Sequence, residues 1–163
     1  MRGFKISMLV FFFPLLSSVK GLAQNTDQEK YDALKTVINN KEFRFMAQSA
    51  NTMKGSTLPV DPGYELKLMT DSLKVDFPYF ENGYSANFGT NDDVIKYSSR
   101  NFTYSAEMTK KGGWNINIIP KDNTDIKRMS MNITNTGYCT LRINFSHRDP
   151  ISFYGTIGDN LSH

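Results

Sequence analysis

The segment Ser146-His147-Arg148-Asp149-Pro150 is where this sequence gathers the residue types of a hydrolytic triad. Such a triad works when a hydroxyl, an imidazole and a carboxylate face one another. Residues one and two positions apart rarely meet in that geometry, whereas an Asp-Pro pair is typical of a turn. The other histidine, His163, is the last residue and belongs to no cluster. We therefore predict a turn at this segment and assign no catalytic residue.

Side chains that could bind a metal are equally scattered. A zinc site takes three or four His, Cys or carboxylate ligands, and the sequence offers two histidines and a single cysteine, Cys139. Oxygen ligands occur together in residues 91–93 and 122–125, but neither run has the spacing or the closing Glu of an EF-hand. We interpret both runs as turns and predict neither a metal nor a cofactor.

Four glutamates, Glu42, Glu65, Glu81 and Glu107, could supply the paired carboxylates of a glycosidase. Two such groups must flank one scissile bond, and nothing in the sequence brings any two of these together. Glu81 lies among aromatic residues, although an exposed, solvated Glu is the usual situation. A hydrolase that uses carboxylates is therefore kept only as a third hypothesis.

The densest aromatic segment, residues 77–84, holds four aromatic side chains around a proline and a glycine. A strand buries every second residue, so Tyr79 and Phe80 cannot both be buried unless the chain turns, which proline and glycine permit. Two interpretations stay open. One is a surface patch that stacks on a sugar, lipid or peptide, and the other is a packed corner that closes one end of the β structure. The candidate ligand-binding residues of the whole chain are Tyr79, Phe80, Tyr84 and Trp114.

The elements that position these side chains are one helix and a series of strands. Apolar residues recur at helical spacing from Asp27 to Asn40, which predicts an amphipathic helix with Asp27 as its cap. Most of the remaining chain alternates apolar and polar residues, as antiparallel strands with one buried face do. The predicted inward-facing sets are Phe43, Phe45 and Ala47; Tyr64, Leu66 and Leu68; Leu73, Val75 and Phe77; Ile95 and Tyr97; Phe102, Tyr104, Ala106 and Met108; Trp114, Ile116 and Ile118; Met129, Met131 and Ile133; and Cys139, Leu141, Ile143 and Phe145.

The residue types of the connecting segments predict where the chain leaves one strand and enters the next. Gly and Pro residues predict a loop over residues 51–63, and further strands are expected at residues 84–88 and near residues 151–157. The spacing of the turns predicts a mainly β fold, namely an antiparallel β-barrel or bent sandwich of about 8–10 short strands with one N-terminal α-helix.

Residues 1–23 have the organisation of a cleaved signal peptide. Arg2 and Lys5 precede an apolar run, and Gly21 and Ala23 occupy the −3 and −1 positions of a cleavage site. The apolar run is shorter than the roughly 20 residues that span a bilayer. We expect cleavage near Ala23, a periplasmic or secreted product that comprises residues 24–163 as one β-rich domain, and no membrane span in its mature form.

The charge balance and the cysteine content limit the partners and the disulfide bonds that we expect for this chain. Three of the 19 basic residues and none of the 16 acidic ones lie in residues 1–23, so the rest of the chain has no formal net charge. A nucleic-acid partner would require a basic stripe, and we predict none. The lone Cys139 forms no internal disulfide, and its alternation with polar neighbours predicts a buried, unreactive thiol.

Several motifs together resemble the secreted bacterial family called domain of unknown function 4251. The matching segments are Phe43 to Ala47, Tyr64 to Leu68, Phe77-Pro78-Tyr79-Phe80, Trp114 to Ile118, Gly137 to Phe145, and Ser152-Phe153-Tyr154-Gly155-Thr156-Ile157. Glu81-Asn82 stands where the family tends to have Gly-Arg. The resemblance implies an envelope or secreted protein of Gram-negative bacteria, and it implies no activity.

Three functions are consistent with these observations. The first is a non-enzymatic module that binds a small apolar ligand, since an eight-stranded barrel can just hold one. The second is a protein-interaction or inhibitor-like envelope module that uses an exposed edge or the loop at residues 51–63. The third is the carboxylate hydrolase. A closed apolar cavity would favour the first, and a filled interior with an aromatic patch outside would favour the second.

Overall fold

Ten strands and one helix build the part of the chain that this computed structural model describes, namely residues 20–52, 55–80 and 94–158. The elements are α1 (Lys20–Asn40), β1 (Phe43–Asn51), β2 (Thr57–Pro59), β3 (Glu65–Met69), β4 (Ser72–Pro78), β5 (Val94–Ser99), β6 (Phe102–Met108), β7 (Trp114–Pro120), β8 (Ile126–Ile133), β9 (Tyr138–Phe145) and β10 (Ile151–Gly158). The predicted strand at residues 84–88 lies outside the described residues.

Nine strands form one antiparallel sheet in the order β5-β4-β3-β1-β10-β9-β8-β7-β6. The sheet is barrel-like and nearly closed, with β5 and β6 as its two edges. The hydroxyl groups of Tyr97 and Ser99, on β5, both donate to the carboxylate of Asp122, which follows β7, at 2.5 Å. These bonds hold one edge strand against the other side of the sheet, and the predicted antiparallel, barrel-like fold with one N-terminal helix is confirmed.

Strand β1 pairs with two different strands along one of its edges, and a bulge in β1 separates the two pairings. Its register with β10 shifts between Ala47 and Ser49, and such a bulge bends a strand. Before the bulge β1 pairs with β3, and after it with β2. The short β2 lies within the predicted loop at residues 51–63, so the prediction of a continuous loop was wrong there. Three residues that end in a proline offer too little alternation to be recognised as a strand.

The helix begins earlier than its sequence pattern predicted. It runs from Lys20, so Asp27 lies inside it and the interpretation of Asp27 as the cap is wrong. The preceding residues contain no proline and include good helix formers, which allows the helix to extend. Its end is where it was predicted. Lys41 takes a left-handed conformation (φ 59°), and the amides of Lys41 and Glu42 bond back to Ile38 and Val37, which reverses the chain into β1.

The predicted inward faces form one continuous core. Side chains from every strand except β2 and β6 contribute to it, and Leu34 and Ile38 of the helix complete it. The largest fully buried side chains are Phe43, Phe45, Phe77, Phe153, Ile38, Leu66, Leu68, Leu73, Ile95, Ile116, Ile118 and Met129. Cys139 is also buried, as predicted. The exception is β6, where Ala106 and Met108 are exposed, because no described strand pairs with its outer side.

Candidate functional site

Tyr79, the first predicted ligand-binding residue, lies in a packed corner at the end of β4. Its side chain is 4% exposed, and its hydroxyl donates to the carbonyl oxygen of Asp149 at 3.1 Å. The ring meets Phe145 edge to face, with the centroids 5.6 Å apart. The guanidinium group of Arg148 covers both rings and forms an ion pair with Asp125. Tyr79 therefore packs into a corner at the end of β4, whereas residues 81–84 of the aromatic segment lie outside the described residues.

The other aromatic candidates do not join Tyr79 in one site. Trp114 is 2% exposed and stacks on Tyr31 of the helix, with ring centroids 5.6 Å apart. It lies level with Ile133 and Cys139, at the start of β9, whereas Tyr79 contacts the end of that strand. Phe80 is partly buried against the core. Tyr84 and Glu81 lie outside the described residues.

Aromatic rings fill the middle of the barrel. Phe77 stacks on Phe153 with centroids 4.5 Å apart, and Phe45 lies 6.0 Å from Phe77 in a tilted arrangement. All three rings are fully buried. Three rings that could line a ligand cavity in a barrel of this size therefore pack against one another instead.

The polar clusters that suggested chemistry serve as turns where the structure describes them. The side-chain oxygen of Asn123 accepts bonds from the amides of Asp125 and Ile126 at 2.8 and 2.7 Å, an arrangement typical of an Asx turn. The Ser146 hydroxyl donates to Thr124 at 2.7 Å, and His147 is exposed. Within residues 20–52, 55–80 and 94–158, no three His, Cys, Asp or Glu side chains come close enough to hold a metal ion.

Asp122, which follows β7, and Tyr104, on β6, have shifted pKa values. Hydrogen bonds from Ser99 and then Tyr97 lower the pKa of Asp122 below its usual 3.8. Burial raises the pKa of Tyr104, on β6, to about 12, and its hydroxyl donates to the carbonyl oxygen of Ile38 at 3.2 Å. Lys41 lies 5.5 Å from the centre of the Tyr104 ring. The hydroxyl of Tyr104 therefore anchors the middle of β6 to the end of the helix.

Strand β6 is the most accessible of the candidate sites. It pairs with β7 in an unbroken register over seven residues, and nothing described pairs with its other side. Its sequence, Phe-Thr-Tyr-Ser-Ala-Glu-Met, contains one charge and neither proline nor glycine. Met108 is 56% exposed. The sequence does not reveal which strand forms an exposed edge, since alternation alone does not show whether a strand has one neighbour or two.

The fold and these sites define a barrel-like β module with one helix. The sequence profile described as "Domain of unknown function (DUF4251)" matches residues 25–157. The chain belongs to this family, as the sequence motifs suggested. No helix among the described residues is long and apolar enough to cross a membrane.

A solved structure gives independent support for the fold. The crystal structure of a DUF4251 family protein from Bacteroides eggerthii DSM 20697 is similar, with a TM-score of 0.63 and 14% sequence identity, over 83% of this chain and 91% of that one. At this identity the likeness concerns the fold alone. No curated protein matches the chain.

Proposed function

We propose that this protein is an exported, non-enzymatic interaction module that adds an extended segment of a partner protein to the edge of β6 that pairs with no described strand. The filled interior supports a partner that binds outside the barrel. Phe45, Phe77 and Phe153 pack against one another in the middle of the barrel. The observation that carries the proposal is the regular and nearly uncharged edge of β6.

Exposed strand edges pair readily with other chains, and proteins usually protect them with lysines, prolines, bulges or short length. Strand β6 carries a single charge, Glu107, and no lysine, proline or bulge over its seven residues, whereas the opposite edge, β5, carries Lys96 in its middle. Every second residue of an antiparallel edge strand directs its N–H and C=O groups away from its neighbour. An extended peptide would satisfy those groups on β6.

The side chains of β6 define what the partner strand should look like. Tyr104, Ala106 and Met108 project from the inner face, and the last two are exposed. Ser105 and Glu107 project from the outer face, level with Asn117 and Asn115 of β7. In strand addition, main-chain bonds give affinity and alternate side chains give specificity. We therefore expect a partner segment with apolar residues at every second position and polar residues between them.

The binding experiment is a selection of random ten-residue peptides on the purified protein, followed by hydrogen exchange of the complexes. We expect alternating apolar and polar peptides that slow amide exchange in β6. The double variant Ala106→Lys with Met108→Lys should lose the selected peptides, because it places charge where the apolar side chains would pack. Ser105→Lys is the matched control on the outer face and should retain them.

Two results would contradict strand addition at β6. The first is unchanged amide exchange in β6 when a selected peptide is bound. The second is equal binding of those peptides to the double variant. Protection that rises with protein concentration alone would assign the edge to a second copy of this chain and overturn the proposal of a different partner.

Export is the second part of the proposal, and the pattern of residues 1–23 supports it. The intact mass of the protein recovered from its native cells should correspond to a chain that begins at Gln24. A full-length mass that starts at Met1 would contradict export by cleavage.

A further inference from the structure

A groove of about 660 Å³ lies between the helix and the two turns that follow β6 and β8. The helix lines it with Asp27, Gln28, Lys30 and Tyr31. The rest of the lining comes from the two turns and the start of β9, namely Gly112, Asn135, Thr136 and Tyr138. Its volume is within the range of small-molecule sites in proteins. The groove is separate from the packed corner at Tyr79.

Two tyrosines give the groove its apolar surfaces. Tyr138 is 61% exposed, the highest value among the exposed large hydrophobic side chains of the described residues. Tyr31 also lines the groove and is held from behind by Trp114, on which it stacks with an interplanar angle of 30°. One ring is therefore open to solvent, and the other is fixed in place by the core.

The remaining surface of the groove is polar and balanced in charge. Asn135 and Gln28 supply amide groups, of which Gln28 also donates to Asp32 at 3.2 Å. Asp27 and Lys30 supply one charge of each sign. The turn at the groove is itself well ordered. The amide of Gly137 bonds to the Thr134 carbonyl at 3.1 Å, and Gly137 takes the left-handed conformation (φ 87°) that glycine favours.

We infer that this groove binds a neutral oligosaccharide. A sugar ring has an apolar face of C–H groups that suits the exposed face of a tyrosine, and a rim of hydroxyl groups that both donate and accept. Amide side chains offer both donors and acceptors to such a rim. A strongly charged ligand fits less well, because Asp27 and Lys30 leave the groove without a net charge. An entirely apolar ligand would cover the charged groups of Asp27 and Lys30 and the amide of Asn135 without bonding to them, which is costly.

The protein contains its own probe for this site. Trp114 is the single tryptophan of the chain, and it lies directly behind Tyr31. Titration with cellotetraose, and separately with chitotetraose, should change the tryptophan emission in a saturable way for at least one of them. Tyr138→Ala should weaken that binding about five- to tenfold, the range expected for loss of one aromatic contact. Tyr138→Phe should retain it, because the ring face is kept.

Tyr154→Ala is the matched control. Tyr154 is also exposed, at 42%, and it projects from β10 outside the groove, so its loss should leave the titration unchanged. Thermal unfolding of each variant separates loss of the site from loss of the fold. The inference is overturned if neither sugar gives a saturable signal at millimolar concentration, or if folded Tyr138→Ala binds as well as the parent protein. Because no residue of β6 lines the groove, these results are independent of the peptide experiment.

Discussion

The guanidinium group of Arg148 lies over the ring of Tyr79, 4.6 Å from its centre, and over the ring of Phe145 at 4.3 Å. The same group forms an ion pair with Asp125, from the segment between β7 and β8. Cations over aromatic faces gain more when they are partly desolvated, and Arg148 is half-buried. One side chain thus joins the end of β4 to the end of β9 and to the start of β8.

Substitutions at Tyr79 should reduce stability in proportion to what they remove. Tyr79→Phe loses the bond to Asp149 and should lower the free energy of unfolding by about 1 kcal/mol. Tyr79→Ala also leaves a cavity beside Phe145 and should cost about 3–5 kcal/mol. Urea unfolding of both variants measures these losses. Equal stability of the Ala variant and the parent protein would mean that the corner is not packed as described.

Gly155, in the last sequence motif of the family resemblance, should not tolerate a side chain. A Cβ atom there would lie 1.9 Å from the carbonyl oxygen of Met46, beside the bulge of β1. Backbone atoms cannot move aside cheaply, so we expect Gly155→Ala to cost about 1–3 kcal/mol or more. Gly158→Ala is the control, since its nearest neighbour is the flexible end of the Met46 side chain at 3.3 Å. Thermal melts that rank Gly158→Ala as the more damaging change would contradict this explanation.

Much of the fold could be predicted because period-two alternation determines which side chains are buried. The sets Trp114-Ile116-Ile118 and Cys139-Leu141-Ile143 are both buried in the structure. Short turns, such as Thr70-Asp71 between β3 and β4, also predict which consecutive strands pair as hairpins. Alternation does not encode strand order beyond hairpins. The pairing of β1 with β10, which joins the two halves of the chain, had no local signal.

The sites were harder to predict than the fold for the same reason. Trp114 and Tyr79 were grouped by residue type, yet they lie at opposite ends of the barrel, because Trp114 begins β7 whereas Tyr79 follows the end of β4, and these two strands run in the same direction. The sequence does not indicate Tyr138 as a ligand-binding residue, because it alternates with buried neighbours as any outward-facing strand residue does. Its position beside the helix depends on how α1 crosses the ends of the strands, and that is a tertiary property.

The thiol of Cys139 should resist modification in the folded protein. Its side chain is buried, and burial raises its pKa above the usual 9.0, so little of the reactive thiolate forms at neutral or mildly alkaline pH. Iodoacetamide at pH 8 should label the protein slowly in buffer and rapidly in 8 M urea, as followed by intact mass. Rapid stoichiometric labelling of the folded protein would show that β9 opens or that the thiol faces solvent.

The bonds of Ser99 and Tyr97 to Asp122 should make stability depend on pH at both extremes. The folded pKa of Asp122 lies below 3.8, so its stabilising contribution is fully present above that value and is lost as the pH falls through the folded pKa. The pKa of Tyr97 is raised from 10.0 to about 12, mainly by burial and then by the bond to Asp122. Its contribution is present below pH 10 and is lost as the pH rises toward 12.

Asp122→Asn tests this relationship because the amide keeps the shape of the side chain and removes its charge. Urea midpoints between pH 2.5 and 7 should fall less steeply with acid in Asp122→Asn than in the parent protein. Ser99→Ala, which removes the larger of the two causes of the lowered pKa, should flatten the acid limb in the same direction. The alkaline limb should change less in either variant, because burial of Tyr97 is its main cause. An acid limb that stays as steep in both variants would mean that the two hydroxyl groups do not stabilise the carboxylate, and that another contact holds β5 against the loop after β7.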